Sequence, residues 1–249
     1  MARRPFLILR LDAPLMSFGG VMVDQRGVTE PHPGASMVTG LLANALGFEH
    51  REANRLQRLQ DRLRLAARCD RRGTEIVDYQ TVDLSQDFLR QGWTTRGEAV
   101  TRGGGTASVG THIRYRHYWA NAVMTVAVEL KPADEEPTLD DVEEALQAPE
   151  RPLFLGRKVC LPSRPVLESR VETDSLYQAL RAASLDPRAD EEAGWFSAWW
   201  PKEGEPAPPE GGREVAVSDR RDWQNQLHAG RSPFWHARIP REEVAHGPS

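Results

Sequence analysis

The sequence predicts a mixed α+β protein, because it contains both strand-like and helix-like patterns. Two apolar runs, residues 5–11 and 122–130, have the composition of buried strands. Residues 37–46 and 52–68 repeat apolar side chains at helical spacing. With 249 residues, 39% of them hydrophobic, the chain is long enough to bury a sizeable core. We therefore expect a globular fold.

The first predicted strand runs into a glycine-containing loop. After Pro14 the chain continues as Met16-Ser17-Phe18-Gly19-Gly20, which we expect to expose its aromatic ring and to present backbone N–H groups to a ligand. Ser36 is a good N-cap for the helix at 37–46, and Gly47 is a good residue to end it. The start of this helix is therefore expected beside a flexible turn.

The second helical pattern, residues 52–68, has one apolar and one basic face. Its apolar positions are Leu56, Leu59, Leu63 and Ala67, and its basic stripe consists of Arg51, Arg55, Arg58 and Arg62. The simplest interpretation of such a stripe is a solvated face.

A hairpin arm is predicted in the middle of the chain. Residues 78–82 are strand-like, residues 83–110 are polar and rich in glycine, and residues 111–119 alternate basic with apolar or aromatic side chains. A stretch of that length without regular structure is usually functional or disordered. The two strand-like segments around it suggest a hairpin that projects from a sheet.

The remainder of the chain carries shorter signals. An amphipathic helix is predicted at 138–148, a strand-like segment with Gly156 between two cations at 151–158, and a helix at 175–183. The aromatic cluster at 195–200 is more typical of core or interface packing than of base stacking. Residues 202–213 are expected to form a flexible surface loop, and residues 214–241 a strand followed by an extended segment.

Charge and cysteine content restrict the class of protein. Residues 1–130 carry 17 arginines against 13 acidic residues, a net charge of +4, whereas residues 131–249 carry −8. The first half is therefore the candidate anion-binding half. Two distant cysteines fit neither a disulfide framework nor a zinc site, and the apolar runs are too short to cross a bilayer. These features predict a cytoplasmic protein without a metal, a cofactor or a membrane partner.

Motifs of common enzymes are missing, whereas a pattern typical of RNA binding is present. There is no Walker A loop, GxSxG, HExxH or dinucleotide fingerprint. His112 and His117 are an odd number of residues apart on a predicted strand, so they should point to opposite faces and make a poor catalytic pair. Residues 114–118 interleave arginine with tyrosine, as single-stranded RNA binders do, although an ordinary amphipathic strand explains this equally well.

Five segments together resemble the CRISPR-associated RAMP proteins of the fifth Cas family, subtype I-E, the CasD family. They are LILRLDAPLMSFGG (7–20), SMVTGLLANALG (36–47), LQRLQDRL (56–63), DYQTV (78–82) and RPLFLGRKVCLPSRP (151–165). The resemblance extends over about residues 5–165 and is only loose beyond residue 170.

The resemblance implies a fold and a division of the chain. It implies a ferredoxin-like, RRM-type RAMP core within residues 1–170, with a long β-hairpin thumb at about 78–118. Residues 171–249 would form a smaller C-terminal extension with the flexible loop at about 202–213.

The resemblance also implies a function without catalysis. Such a protein binds the 5′ handle of the crRNA in the Cascade surveillance complex, contacts the backbone subunit CasC and the large subunit CasA, and meets target DNA only indirectly. The alternative is a metal-independent endoribonuclease that processes repeat RNA. Relatives of subtype I-C use a tyrosine, a histidine and a lysine for that, which makes His112, Tyr115 and Lys158 the residues to test, although no position matches clearly. A general RNA chaperone is a weaker third possibility.

The RNA-binding residues implied by matching motifs fall into two groups. Those expected on the handle are Ser17, Phe18, Gly19, Gly20, Arg26, Ser36, Met37, Gly156, Arg157 and Lys158. Those expected on the thumb are Arg102, Thr111, His112, Arg114 and Arg116.

Overall fold

A computed structural model describes residues 3–20, 24–84, 86, 91–93, 98–101 and 111–245. The helices of this part are α1 (Ala35–Ala45), α2 (Ala53–Arg62), α3 (Leu139–Gln147) and α4 (Leu176–Ala182), with a 3₁₀ turn at Arg241–Glu243. The strands up to the middle of the chain are β1 (Arg4–Asp12), β2 (Leu15–Met16), β3 (Arg26–Gly27), β4 (Leu63–Arg71), β5 (Thr74–Asp83), β6 (Gln91–Trp93), β7 (Ala99–Thr101), β8 (Thr111–Ala120) and β9 (Val123–Leu130). The later strands are β10 (Leu167–Thr173), β11 (Trp195–Pro201), β12 (Arg213–Val217), β13 (Arg221–Asp222), β14 (Leu227–His228) and β15 (Ser232–Pro240).

The main sheet has seven antiparallel strands in the order β10-β1-β9-β4-β11-β15-β12. Since alternate residues of a strand face opposite sides, β1 contributes to two cores. Leu7 and Leu9 pack in the core that contains α1, α2 and α3, and Phe6 and Ile8 pack in the core that contains α4. The predicted α+β class is confirmed. Strands from both sides of residue 170 join this sheet, and the division of the chain there stays a prediction.

The helix α1 is capped by a residue that is distant in sequence. Gly34 is its N-cap, and Ser36 lies inside the first turn, so the prediction of a Ser36 cap is wrong. The first amides are bound by Asp219: its carboxylate accepts from the amide of Ala35 at 3.3 Å, and its carbonyl oxygen accepts from Ser36 at 2.7 Å. These two N–H groups are therefore not free for a phosphate.

The second helix is shorter than its periodicity suggests. It ends at Arg62, and residues 63–71 form β4 in the middle of the sheet, paired with β9 from Leu63↔Leu130 onward. Pairing with two neighbouring strands outweighs the local helical pattern. Arg62 is buried and donates to the carbonyl oxygens of Pro132 and Pro137, so it does not belong to the solvated basic stripe.

The predicted arm is confirmed as an antiparallel pair. Strands β5 and β8 pair from Thr74↔Ala120 to Asp83↔Thr111. The arm continues the sheet pair β4 and β9 through a bend at Gly73, which has φ +67°. A Cβ at Gly73 would overlap the carbonyl oxygen of Ala120, so this bend needs glycine. Much of the predicted 83–110 stretch lies outside the described residues.

Two buried arginines share one carboxylate beneath α4. Asp70 accepts from Arg68 Nε at 2.6 Å and from the hydroxyl of Thr125 at 2.8 Å, and Arg10 Nη1 pairs with its second oxygen. Both arginines and Asp70 are at most 1% exposed. Such a network joins three strands of the sheet through charge, and it is stable only while each charge keeps its partner. None of the described helices has the length and apolar composition that a membrane span requires.

Candidate nucleic-acid interface

A groove of about 800 Å³, which we call the basic groove, lies between α1, the loop 151–158 and the hairpin β13–β14. It brings together three sequence segments that were predicted to bind RNA. From those segments it is lined by Ser17, Gly19, Ser36, Met37, Gly156, Arg157 and Lys158.

The charge of this groove has one sign. Its lining contains Arg151, Arg157, Lys158 and Arg221, together with two histidines, His50 and His228. No aspartate or glutamate is found among the lining residues that the structure describes, although the whole chain carries a net charge of −4. A concave surface with uncompensated positive charge attracts anions.

The three arginines of the groove bind neutral oxygens. Arg151 donates to the carbonyl of Phe48 at 2.6 Å, Arg157 to that of His117 at 2.9 Å, and Arg221 to the side-chain oxygen of Gln226 at 2.8 Å. Within the described part of the chain, none of the three has a carboxylate within ion-pair distance. Their charge therefore remains available to a ligand.

Arg221 is held in place through its backbone. Its backbone N–H donates to Gln60 at 3.0 Å, and its carbonyl accepts from the same side chain at 2.8 Å, which fixes its position. Burial lowers the pKa of its guanidinium, and its Nε has no hydrogen-bond partner. The preceding Arg220 is instead ion-paired with Asp61 at 2.5 Å. Of these two consecutive arginines, only Arg221 lacks a neutralising partner in the described structure.

The histidine opposite Arg221 is neutral at pH 7. Strand pairing places His228 directly across from Arg221. Burial and the nearby charge of Arg221 lower the pKa of His228 below its ordinary value of 6.5. A neutral imidazole offers one donor and one acceptor, which suits a base edge or a ribose hydroxyl.

Aromatic side chains support the groove. Trp223 is 6% exposed and lies beneath the guanidinium of Arg221, whose central carbon is 5.6 Å from the ring centre. Phe154 is half-buried in the lining and is thus more accessible than Trp223. Cations beside aromatic rings are the combination that single-stranded RNA sites use.

The loop after β1 is packed rather than open. Phe18 is 1% exposed, so the prediction of an exposed aromatic ring is wrong. Its backbone N–H donates to the hydroxyl of Thr29 at 2.9 Å, and its carbonyl accepts from Glu30 at 2.6 Å, which folds the segment inward. Ser17 is also buried and its hydroxyl donates to the carbonyl of His117. Gly20 is absent from the groove lining.

The segment 151–158 is a loop, so the predicted strand-like segment is wrong. Arg157 connects this loop to the base of the arm: its guanidinium lies 4.6 Å above the ring of Tyr118 and also donates to Gly27 at 2.8 Å. Lys158 is exposed at the edge of the groove. Arg157 therefore positions the loop and is itself part of the groove lining.

Gly156 is required by packing, and its replacement should destabilise the fold. It has φ +102°, and an added Cβ would overlap the carbonyl oxygen of Ser17. We expect Gly156→Ala to lower the free energy of unfolding by at least about 2 kcal/mol, measured by urea denaturation. Gly19 is the matched control, because a Cβ there meets nothing within 4 Å. Equal effects of the two substitutions would contradict this role.

One face of the arm continues the positive surface. His112, Arg114 and Arg116 alternate along β8 and so lie on the same face as Tyr118, against which Arg157 packs. A row of basic side chains thus leads from the arm towards the groove.

Other predicted residues are placed apart from this row. Thr111 falls on the opposite face of β8. Arg26 also belongs there, because its guanidinium lies 5.6 Å from the ring of Tyr115. Arg102 lies outside the described residues.

The groove residues that the sequence analysis missed include the cations, histidines and aromatic side chains His50, Arg151, Phe154, Arg221, Trp223 and His228. A weak signal existed for two of them, since Arg221 and Trp223 form a basic and aromatic group within the acidic half of the chain. No local sequence pattern indicates that Arg221 and Trp223 lie next to α1 and α2.

Comparison with known proteins gives consistent results. The CasD subunit of the CRISPR system Cascade of Escherichia coli (strain K12) is 29% identical over 177 residues, which cover 71% of this chain and 76% of that protein. A chain of a CRISPR RNA-guided surveillance complex matches with a TM-score of 0.64 and 25% identity, over 98% of this chain and 94% of that one. A crystal structure of a Cas protein matches with a TM-score of 0.63 and 26% identity, over 98% and 100%.

A family model matches most of the chain. The family described as CRISPR-associated protein (Cas_Cas5) matches residues 6–234. The resemblance to the fifth Cas family is thereby confirmed, and the protein belongs to the CRISPR-associated Cas5 family.

Proposed function

We propose that this protein is a non-catalytic, crRNA-binding subunit of a type I-E Cascade complex, and that the basic groove holds the 5′ handle of the guide RNA. The observation that carries the proposal is a groove with four cations and no carboxylate in its described lining. The similarity to CasD supports the choice of complex. CasC and CasA are the proposed protein partners, target DNA is met only through the complex, and the proposed location is the cytoplasm.

We also propose that the core is a ferredoxin-like RAMP fold. The strands β1, β4, β9 and β10 follow the order βαββαβ when α1 and α2 together are counted as the first helical segment and α3 as the second, and these strands lie side by side as β10-β1-β9-β4. This arrangement is the split βαβ pattern of such folds. The arm β5–β8 would then be the thumb.

The proposed lack of catalysis has a geometric argument. His112 and Tyr115 are three residues apart on β8 and therefore lie on opposite faces. The set of His112, Tyr115 and Lys158 is thus not gathered on one face of the arm. Incubation with labelled repeat RNA in EDTA tests this directly, because specific cleavage at the handle boundary would identify a nuclease instead.

Binding of handle RNA should depend strongly on salt. If each of the four groove cations neutralises one phosphate, a plot of log affinity against log salt concentration should have a slope of about −3. Each neutralised phosphate on a single strand contributes about −0.7 to this slope. Fluorescence anisotropy with handle RNA, at several salt concentrations, measures the slope. An affinity that does not change with salt would contradict phosphate binding in the groove.

A further inference from the structure

A second cavity, which we call the aromatic pocket, lies between the base of the arm and the strands β11, β12 and β15. Its volume is about 840 Å³. Apart from Phe18, it shares no residue with the basic groove or with the predicted RNA contacts. Its aromatic lining residues are Phe18, His32, Trp119, Trp195, Phe196, Trp199 and His236.

The floor of the pocket is a stack of three rings. Trp199 lies between His32, at a centroid distance of 4.9 Å, and His236, at 4.8 Å with an interplanar angle of 8°. Burial lowers the pKa of His32 to about 4 and also lowers that of His236, so both are neutral at pH 7. The buried Nε2 of His236 has no hydrogen-bond partner. The floor is thus apolar and uncharged, with one unused polar atom.

The rim of the pocket carries both signs of charge. Three carboxylates and three guanidinium groups surround the opening: Glu30, Asp190 and Glu192, and Arg72, Arg213 and Arg231. A phosphate backbone passing here would meet the carboxylates, whereas the basic groove has none in its described lining. Balanced charge around an apolar centre is the composition of a protein–protein contact.

The pocket is continuous with one face of the arm, on which exposed aromatic and aliphatic side chains lie beside the paired His117 and Glu75. Trp119 lines the pocket and shares its face of β8 with Tyr115, about 13 Å away along the strand. On the same face, β5 contributes Tyr79, which pairs with Tyr115 and is 56% exposed, and Val77, which pairs with His117 and is 52% exposed. The basic row at 112, 114 and 116 is on the other face.

We propose that the aromatic pocket receives an aromatic or aliphatic side chain from a protein partner whose flanking residues carry charges of both signs. The partner lies along the face of the arm that carries Tyr79 and Tyr115 and inserts this side chain over Trp199. One face of the arm then serves RNA and the other serves protein. The choice of partner rests on the proposed function, because the partner is expected among the protein subunits of the assembled complex.

Site-specific photo-crosslinking identifies the occupant. Ser197 lies inside the pocket and is half-buried, whereas Glu192 lines its rim and is exposed, so a large side chain at position 192 leaves the pocket open. The photoreactive residue p-benzoylphenylalanine at position 192 is irradiated after assembly with purified CasC, CasA and crRNA. We expect an adduct with one of the two protein subunits. An adduct with RNA, an adduct with a second copy of this chain, or no adduct would each overturn the proposal.

A variant that fills the aromatic pocket distinguishes the role of this pocket from that of the basic groove. Ser197→Trp should reduce recovery of the protein subunits at least tenfold while handle RNA affinity stays within twofold of the parent. The matched control is Ser169→Trp on the exposed edge strand β10, which should affect neither. Normal assembly of Ser197→Trp, with an unchanged melting temperature, would overturn the proposal. If the parent protein fails to bind handle RNA but still gives a protein adduct, the proposed function fails and the pocket assignment stands.

Discussion

Replacing Arg221 with glutamine should weaken the binding of handle RNA by about ten- to a hundredfold, which corresponds to the loss of one charge-assisted contact. Arg221 is held in place by Gln60 and bonds only to neutral oxygens. A phosphate in the groove would therefore meet a cation that is already positioned and has no competing carboxylate in the described structure. Fluorescence anisotropy with handle RNA measures the effect.

The adjacent arginine provides the control for this prediction. Arg220 is paired with Asp61 and does not line the groove, so Arg220→Gln removes the same charge from the chain at a neighbouring position. We expect that variant to bind RNA almost as the parent does. Equal losses in both variants would mean that only the overall charge of the hairpin matters. Unchanged melting temperatures show that the comparison concerns binding and not folding.

Replacing Asp70 with asparagine should lower the free energy of unfolding by about 3–5 kcal/mol, the usual cost of removing one partner of a buried ion pair. The substitution keeps the shape of the side chain but leaves the buried charges of Arg10 and Arg68 without the carboxylate they share. Since a domain has about 5–15 kcal/mol of stability, this loss is a large fraction of the total.

Urea denaturation at constant pH measures this effect. The matched control is Asp140→Asn, which removes a carboxylate that is 76% exposed and paired with Arg170 at the surface. Its unfolding midpoint should stay close to that of the parent, because exposed ion pairs contribute little. If Asp70→Asn were equally mild, the buried network would not be a main source of stability.

The elements that could be predicted from the sequence are those with local signals. The arm, α3 and α4 follow from periodicity and from their end residues, as with Thr138, which forms a capping box with Asp141. The end of α2 could not be predicted in the same way. Residues 63–68 keep a helical pattern, and their pairing with β9 and β11, which come much later in the chain, makes them a strand.

The candidate site was predictable only in part, because several of its contacts join residues that are distant in sequence. The segments around Ser17, Ser36 and Gly156 were identified from a family resemblance, and the structure brings them together in one groove. The burial of Phe18 depends on contacts with Thr29 and Glu30 that no local pattern reveals. Arg221 reaches the groove through Gln60, a partner 161 residues away in sequence.

The capping of α1 by Asp219 ties the groove to the order in which the chain is made. Residues before 121 supply α1 and the arm, but Asp219, Arg221 and His228 reach the ribosome exit only long after both elements have been synthesised. A nascent or truncated chain that ends before residue 219 has neither the cap on α1 nor one wall of the groove. The site is therefore complete only once residues 219–228 have been made and have folded back onto α1.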